Sequence, residues 1–243
     1  MNRFGLLGKN ISYSFSQGYF TQKFEDLGLT DYSYENFDIQ HITEFKSVLA
    51  QKHLQGLNVT IPYKQEVIPF LDELDPIADK IGAVNTIKFM EHGLKGFNTD
   101  AYGFQKSLER FLKPHHKNAL ILGTGGASKA IRFVLDELGI ANTYVSRRKQ
   151  NGQYTYQDID KSVIEKNTLI INCTPLGTFP NIQDKPELPY QYIGSKHLLY
   201  DLTYNPEKTA FLAAGEANGA IICNGAQMLV HQAEKAWGIW NKS

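Results

Sequence analysis

Short apolar runs alternate with segments of helical periodicity along almost the whole chain. Runs of this kind predict buried strands, and the periodic segments predict helices that pack on a sheet. The alternation is typical of α/β architecture. Strands are predicted at residues 4–7, 32–37, 56–60, 84–90, 119–122, 143–146, 168–172, 197–201 and 220–223, with a hairpin break at 91–93. Helices are predicted at residues 16–27, 42–51, 64–71, 101–112, a segment ending at 138, 207–215 and 226–237.

A polar break at residues 113–117, which contains Pro114, is the clearest candidate for a domain boundary in this pattern. It also contains His115 and His116. Adjacent histidines seldom converge on one metal ion, and no carboxylate is spaced to join them. We therefore predict a solvated linker here and no metal site.

Composition narrows the function classes. The 243 residues suffice for one large or two modest domains, and 25 basic residues balance 25 acidic ones. That balance gives no indication of nucleic acid or an anionic membrane surface as a partner. Cys173 and Cys223 lie in apolar runs without metal-type spacing, which is typical of a reduced intracellular protein. No apolar run resembles a signal peptide or membrane span, so we predict a soluble cytoplasmic protein.

A glycine-rich turn follows the strand predicted at 119–122. It comprises Gly123, Thr124, Gly125, Gly126 and Ala127 and leads into a predicted helix. Glycines permit a tight turn and close approach of a pyrophosphate, to which the helix N-terminus presents unpaired N–H groups. The last position of the usual G-x-G-x-x-G pattern is Ser128. We interpret the turn as a dinucleotide-binding loop, with a plain strand–helix turn as the alternative.

The strand predicted at 143–146 ends in a basic segment. Ser146 is followed by Arg147, Arg148 and Lys149. NAD enzymes commonly place a carboxylate here for the ribose 2′-hydroxyl, and a carboxylate would repel a 2′-phosphate. Guanidinium groups instead bind phosphate through paired hydrogen bonds. The segment therefore favours NADP over NAD, with an ordinary solvated basic turn as the alternative.

Polar residues cluster in the first half of the chain. Ser14 and Ser16 alternate as in an extended segment, where either could cap the following helix or both could face a polyol or carboxylate. The strand predicted at 56–60 is expected to deliver Asn58, Thr60 and Lys64 to its carboxyl end. In open α/β sheets this is the end at which ligands bind.

A third cluster supplies a partner for the lysine. The pairs Asn85-Thr86 and Asn98-Thr99 occur at neighbouring predicted strand ends, and Asp100 closes the second pair. Lys64 and Asp100 would form a proton-transfer pair if they met in a cleft, because the aspartate would orient the amine. Reduction of a ketone requires a proton for the carbonyl oxygen, and a lysine can supply it.

Taken in order, these segments resemble the motifs of the shikimate dehydrogenase family. The resemblance covers nearly the whole chain. It is carried by Ser14-Phe15-Ser16, Asn58-Val59-Thr60-Ile61-Pro62-Tyr63-Lys64, Gly82-Ala83-Val84-Asn85-Thr86, Gly96-Phe97-Asn98-Thr99-Asp100, Gly123-Thr124-Gly125-Gly126-Ala127, Asn172-Cys173-Thr174-Pro175-Leu176-Gly177, Tyr200-Asp201-Leu202-Thr203-Tyr204-Asn205-Pro206 and Asn224-Gly225-Ala226-Gln227-Met228-Leu229 with Gln232.

The resemblance implies an N-terminal α/β substrate domain, a Rossmann-type NADP-binding domain and a groove between them that closes on ligand. Residues 1–100 would form the substrate-binding and catalytic domain, completed by the C-terminal helix within 226–243, and residues 101–225 the NADP-binding domain. The implied reaction is the NADPH-dependent, reversible reduction of 3-dehydroshikimate to shikimate, on the route to chorismate and the aromatic amino acids. The implied partners are this substrate and NADP, with no metal, nucleic acid or membrane, in a monomer or homodimer.

The resemblance also implies roles for individual residues. Lys64 would be the catalytic lysine and Asp100 its partner, while Ser14 and Ser16 would hold the substrate carboxylate. The remaining implied substrate contacts are Thr60, Asn85, Asp100 and Gln232 around the ring hydroxyls, together with Tyr204. The implied cofactor contacts are Gly123, Thr124, Gly125, Gly126, Ala127, Ser146, Arg147, Arg148, Thr174, Leu202 and Gly225, the last beside the nicotinamide.

Several positions depart from the family pattern. Asn10 and Gln17 replace prolines, Tyr13 replaces a histidine, and Phe20-Thr21 replaces His-Asn. The segment Ser146-Arg147-Arg148 replaces Asn-Arg-Thr, so either arginine could hold the 2′-phosphate, and the chain is short near residues 149–155. Neither Lys64 nor Asp100 is affected.

Three alternatives stay open at this point. A quinate or dual quinate/shikimate dehydrogenase, often NAD-linked, is disfavoured by Ser14 in place of threonine and by the Arg147-Arg148 pair. A catalytically silent nucleotide sensor on the same fold would not need Lys64 and Asp100. A related dehydrogenase acting on a folate-type carrier suits the two serines and Gln232 less well than a small carboxylated polyol does.

Overall fold

The computed structural model describes residues 1–12 and 14–241. Tyr13, one of the departures from the family pattern, lies outside the described residues, as do the last two residues of the segment 226–243. The chain divides into two compact units, Met1–Thr99 with Ala233–Ser243, and Asp100–Gln232. Within the described ranges, no helix is long and apolar enough to cross a membrane.

The first unit is built on a mixed six-stranded sheet. Its elements are β1 (Asn2–Gly8), α1 (Phe15–Asp26), β2 (Tyr32–Asp38), α2 (Phe45–Leu49), β3 (Leu54–Val59), β4 (Glu73–Leu74), α3 (Pro76–Ile81), β5 (Thr86–Met90), β6 (Gly93–Phe97) and the end of α8 (Ala226–Trp240). The strand order is β2-β1-β3-β5-β6-β4. β1 is parallel to both β2 and β3, whereas β5 and β6 form the antiparallel hairpin predicted from the sequence.

An aromatic cluster joins the end of α8 to this sheet. The Trp240 ring lies 4.9 Å from that of Phe4 and 5.3 Å from that of Phe20, measured between centroids. Its indole N–H donates to the carbonyl of Ile87 at 3.0 Å. Gly56 leaves room for the indole, because a Cβ at this position would overlap it. The last turn of the chain is therefore part of the core of the first unit.

The second unit is built on a parallel six-stranded sheet. Its elements are α4 (Asp100–Glu109), β7 (Asn118–Leu122), α5 (Gly126–Glu137), β8 (Ala141–Ser146), β9 (Tyr154–Thr155), α6 (Lys161–Lys166), β10 (Leu169–Asn172), β11 (Leu198–Asp201), α7 (Ala210–Ala217), β12 (Ile221–Cys223) and the start of α8. The strand order is β12-β11-β10-β7-β8-β9. Two three-strand halves thus diverge from the central pair β7 and β10, which is the order of a dinucleotide-binding sheet. The predicted α/β class is confirmed.

The prediction of a helix at residues 64–71 is wrong. Turns occupy 61–67, and a single 3₁₀ turn, Ile68–Phe70, follows. Pro69 has no N–H for an α-helical hydrogen bond, and the N–H of Leu71 donates to Ile68 in the tighter pattern at 3.1 Å. The elements β4, α3, β9 and α6 are short and were not predicted.

The two units divide at different positions from those suggested by the pattern. Asp100 falls in the second unit, and so does the first part of α8, up to Gln232. In this unit α8 packs closely on α4, where a Cβ at Gly103 would lie 2.5 Å from the carbonyl oxygen of Met228. The break at 113–117 lies inside the second unit.

His116 is not part of a solvated linker. Its side chain is buried, with Nδ1 accepting from the N–H of Lys113 at 3.0 Å. Burial is the largest influence on its pKa and lowers it, which favours the neutral ring. Among the described residues, no cluster of histidine, cysteine and carboxylate side chains is arranged to hold a metal ion.

Candidate active and cofactor-binding sites

The glycine loop lies at the centre of the parallel sheet. β7 ends at Leu122, and Gly123 follows with φ +96°, a conformation that favours glycine. Gly125 caps α5 without a side chain, and α5 begins at Gly126. A Cβ at either of these two glycines would meet nothing within 4 Å. The N-terminus of a twelve-residue helix therefore faces open space at the point where the strand order reverses.

The basic segment adjoins this loop. The N–H of Gly123 donates to the carbonyl of Val145 at 2.9 Å, and β8 ends at the next residue, Ser146. Arg147 and Arg148 are exposed, and neither forms an ion pair with an acidic side chain within the described residues. Both guanidinium groups are thus available to an anion beside the loop.

Lys149 is held differently from the two arginines. Its ammonium contacts the carboxylate of Asp158 at 2.7 Å. That hydrogen bond, with those from the N–H and hydroxyl of Thr155, lowers the pKa of Asp158 to about 2. The lysine is therefore tied to a neighbouring turn, while Arg147 and Arg148 extend from the strand end.

Three further implied cofactor residues lie on loops that follow neighbouring strands. Thr174 follows β10, and its methyl group would lie 3.0 Å from a Cβ at Gly123. Leu202 follows β11, and Gly225 precedes α8. A Cβ at Gly225 would overlap the backbone carbonyl of Leu202, so only glycine fits there. The loop after β7 therefore contacts the loop after β10. The loop after β11 contacts the loop after β12.

The sequence interpretation missed the buried pair that connects these loops. Asn172 ends β10 and Asp201 ends β11; the two residues are register partners and fully buried. The amide of Asn172 donates to the carboxylate of Asp201 at 3.0 Å. A polar residue at the end of each of two consecutive apolar strands is the signal that could have identified them.

In the first unit, the two serines begin α1. Ser14 is its N-cap, accepting at 3.1 Å from the N–H of Ser16. Capping by Ser14 is thus confirmed, whereas Ser16 lies in the first helical turn and not in an extended segment. Both side chains are partly exposed. Hydroxyls and N–H groups at the positive end of a helix suit a carboxylate.

Thr60, Lys64 and Asn85 lie near one another at the carboxyl end of β3. The N–H of Val84 donates to the carbonyl of Lys64 at 2.7 Å, and the N–H of Val59 donates to that of Asn85 at 2.8 Å. Tyr63 is buried beside Lys64, with its hydroxyl donating to the carbonyl of Ile39 at 2.8 Å. The backbone around Lys64 is thereby anchored while its side chain stays partly exposed.

The loop that carries Ser14 reaches the same end of the sheet. Gly8 ends β1, and a Cβ there would lie 2.5 Å from the methyl group of Thr60. The segments that carry the first and second polar clusters therefore leave the sheet side by side, at the ends of the parallel strands β1 and β3.

Asn58 was expected at the ligand-binding end of β3, but its side chain forms hydrogen bonds inside the first unit. It is buried, accepts from the hydroxyl of Tyr34 at 2.7 Å and donates to the hydroxyl of Thr86 at 3.2 Å. Asn85 in turn accepts from the N–H of Thr99 at 2.6 Å. These bonds join the two Asn-Thr pairs into one network that holds the ends of β5 and β6 together.

The last three implied substrate residues belong to the second unit. Asp100 is buried at the start of α4, Tyr204 follows β11 and is partly exposed, and Gln232 is buried on α8. The amide of Gln232 donates to the carbonyl of Leu229 at 3.0 Å. Close packing at Gly103 holds this part of α8 on α4, since a Cβ there would lie 3.0 Å from that of Gln232.

Comparison with known proteins relates the chain to shikimate dehydrogenases. A family profile described as the shikimate dehydrogenase substrate binding domain matches residues 6–87. The shikimate dehydrogenase (NADP(+)) of Clostridium beijerinckii is 37% identical, and the match covers 100% of this chain and 93% of that protein. The shikimate dehydrogenase (NADP(+)) of Methanosphaera stadtmanae is 36% identical, with coverage of 97% and 90%.

Solved structures agree with the sequence comparison. The crystal structure of shikimate 5-dehydrogenase from Thermus thermophilus in complex with NADP(H) and shikimate matches with a TM-score of 0.87. The two sequences are 31% identical, and the match covers 99% of this chain and 94% of that one. The similarity therefore extends over both units.

Proposed function

We infer the activity from the family: the chain belongs to the shikimate dehydrogenase family. We propose that it catalyses the reversible, NADPH-dependent reduction of 3-dehydroshikimate to shikimate, a step towards chorismate and the aromatic amino acids. The observation that carries the proposal is the glycine loop with the adjacent Arg147 and Arg148, in a chain of this family. The loop lies where the strand order of the parallel sheet changes direction, between β7 and β10.

The cofactor residues fit NADP. The open space at Gly125 and Gly126 and the free end of α5 suit the pyrophosphate. The exposed pair Arg147 and Arg148 suits a 2′-phosphate, at a strand end that carries no carboxylate. When bound, NADPH supplies the hydride.

The proposed chemical roles fall on Lys64 and Asp100. In the reductive direction, the Lys64 ammonium donates a proton to the carbonyl oxygen of the substrate as the carbonyl carbon receives the hydride, and the ketone becomes an alcohol. In the oxidative direction the neutral amine takes the proton back. Asp100 is the residue proposed as the partner of Lys64 in this proton transfer.

The remaining substrate roles follow the chemistry of the side chains. Ser14 and Ser16 bind the carboxylate at the positive end of α1. The ring hydroxyls are bound by Thr60, Asn85 and Gln232, with Tyr204 as a further contact. A cytoplasmic location and a monomeric or dimeric state stay predictions from the sequence.

A spectrophotometric assay tests the proposed function. Shikimate and quinate are each offered with NADP+ and with NAD+, and formation of reduced cofactor is followed at equal enzyme concentration. We expect the highest kcat/KM for shikimate with NADP+. A higher value for quinate with NAD+ would identify a quinate dehydrogenase, and no turnover of either substrate would favour a nucleotide sensor.

The cofactor preference is expected to depend on the two arginines. The double variant Arg147→Ala/Arg148→Ala should raise KM for NADP+ at least about ten-fold, because it removes charge-assisted hydrogen bonds to the 2′-phosphate. KM for NAD+, which lacks that phosphate, should change little. The two single variants measure how the effect is shared.

Lys149→Ala is the matched control for this experiment. It removes an adjacent positive charge that is already paired with Asp158. We expect KM for NADP+ to stay within about three-fold of wild type. Loss of a hydrogen bond to the phosphate would raise KM by more than this. An equal loss in the control and the double variant would mean that general positive charge, not the arginine pair, selects the cofactor.

A further inference from the structure

Asn172 and Asp201 form a buried polar pair at the ends of β10 and β11, beneath the loops that follow these strands. One carboxylate oxygen of Asp201 accepts from the amide of Asn172 and from the N–H of Thr203, each at 3.0 Å. The other accepts from the hydroxyl of Thr209 at 2.6 Å. Asn172, Asp201 and Thr209 have no solvent exposure.

Hydrogen bonds continue from this pair to the two loops above it. The side-chain oxygen of Asn172 accepts from the N–H and hydroxyl of Thr174, at 3.0 Å and 2.6 Å. Its backbone carbonyl accepts from the N–H of Leu202 at 3.0 Å. The loops after β10 and β11 are therefore held by the same two side chains.

The remaining loops are fitted against these two. Gly123 packs on the methyl group of Thr174, and the N–H of Gly225 donates to the carbonyl of Thr203 at 3.2 Å. A shift of Asn172 or Asp201 would therefore pass to the loops after β7 and β12 as well. All four loops carry residues assigned to the cofactor under the proposed function.

Burial and hydrogen bonding act on the Asp201 carboxylate in opposite directions. Burial raises the pKa of Asp201, against the opposing effect of its hydrogen bonds from Thr209, Thr203 and Asn172. A carboxylate whose pKa is higher in the folded chain makes folding less favourable once the pH exceeds its unfolded value. The hydrogen bonds that offset this cost are the ones that connect Asp201 to Asn172, Thr203 and Thr209, so the carboxylate is kept in place by the same groups that hold the two loops.

We propose that Asp201, acting through Asn172 and Thr203, is a positioning residue that sets the loop geometry required to bind the nicotinamide nucleotide. It has no contact with the substrate under this assignment. The proposal rests on the proposed function, because that function assigns Thr174, Leu202 and Gly225 to the cofactor. Removal of the Asp201 carboxylate should weaken nucleotide binding far more than it slows the chemical step.

The test measures NADPH affinity directly, by titrating protein into NADPH and following the cofactor fluorescence, alongside steady-state kinetics. Asp201→Ala leaves three donors without an acceptor, and we expect its Kd for NADPH to rise about ten-fold or more. Asp201→Asn keeps an acceptor for Asn172 and Thr203, so its Kd should stay within about three-fold of wild type. At saturating NADP+, kcat should fall much less than the affinity does.

Thr209→Val is the matched control. It removes one hydrogen bond to Asp201 and the N-cap of α7, but it leaves the bonds to Asn172 and Thr203 intact. We expect it to lower the melting temperature with no change in Kd. If Asp201→Ala fails to fold, Asn172→Ala replaces it, with the same expected rise in Kd.

Two results would overturn the proposal: an unchanged Kd in the folded alanine variant, or a rise in Kd for Thr209→Val equal to that of the alanine variant. A wild type that binds NADPH but does not turn over shikimate would defeat the proposed reaction, and the binding comparison would still decide this inference. A wild type that binds no NADPH would defeat both.

Discussion

Lys64→Ala is expected to lower kcat for shikimate oxidation by about 10²–10⁴-fold, the range that a positioned general acid or base contributes. KM for shikimate should change much less, because the carboxylate and the other hydroxyls keep their own binding groups. The fold should persist, since Tyr63 stays buried and the hydrogen bond from Val84 uses the backbone carbonyl of residue 64. Steady-state kinetics with saturating NADP+ measures both constants.

Two further variants separate proton transfer from positive charge. Lys64→Arg keeps the charge, but an arginine does not release its proton at neutral pH, so kcat should stay low. Lys46→Ala removes an exposed lysine from α2 in the same unit and should leave both constants unchanged. A near-normal rate in Lys64→Ala, or rescue by arginine, would refute the proton-transfer role.

Trp240→Ala is expected to reduce the free energy of unfolding of the first unit by about 3–5 kcal/mol, the usual cost of truncating a buried tryptophan. The change leaves a cavity between Phe4, Phe20 and the sheet and removes the indole hydrogen bond to the carbonyl of Ile87. Urea unfolding, followed by far-ultraviolet circular dichroism, measures the loss. A change below about 1 kcal/mol, the size of a surface effect, would mean that the last turn of α8 does not contribute to the core.

Trp240→Phe divides this effect into its parts. Phenylalanine retains most of the buried ring but cannot donate to Ile87, so it should cost about 0.5–1.5 kcal/mol, the usual net contribution of one hydrogen bond. Gly56→Ala tests the same contact from the sheet, because its methyl group would overlap the indole. If both variants are as stable as wild type, the fit between Gly56 and Trp240 is not a tight one.

The sequence indicated most of the second unit. Apolar strands alternating with amphipathic helices have few ways to bury their faces, and the glycine loop marks the first strand–helix turn. Periodicity failed where the backbone chemistry interrupts it, as at Pro69 within the helix predicted at 64–71. Short elements such as β9 were missed because two residues carry no periodic signal.

Residue types in sequence determined the α/β class, the glycine loop and the basic end that follows β8, because each depends on neighbours along the chain. Only the tertiary structure decided which polar side chains form hydrogen bonds or ion pairs within the protein and which stay available to a ligand. Asn58 is buried against Tyr34, Asp201 is buried against Asn172, and Lys149 is paired with Asp158. These partners are 24, 29 and 9 residues apart along the chain, and local spacing contains no information about contacts that form only when the chain folds.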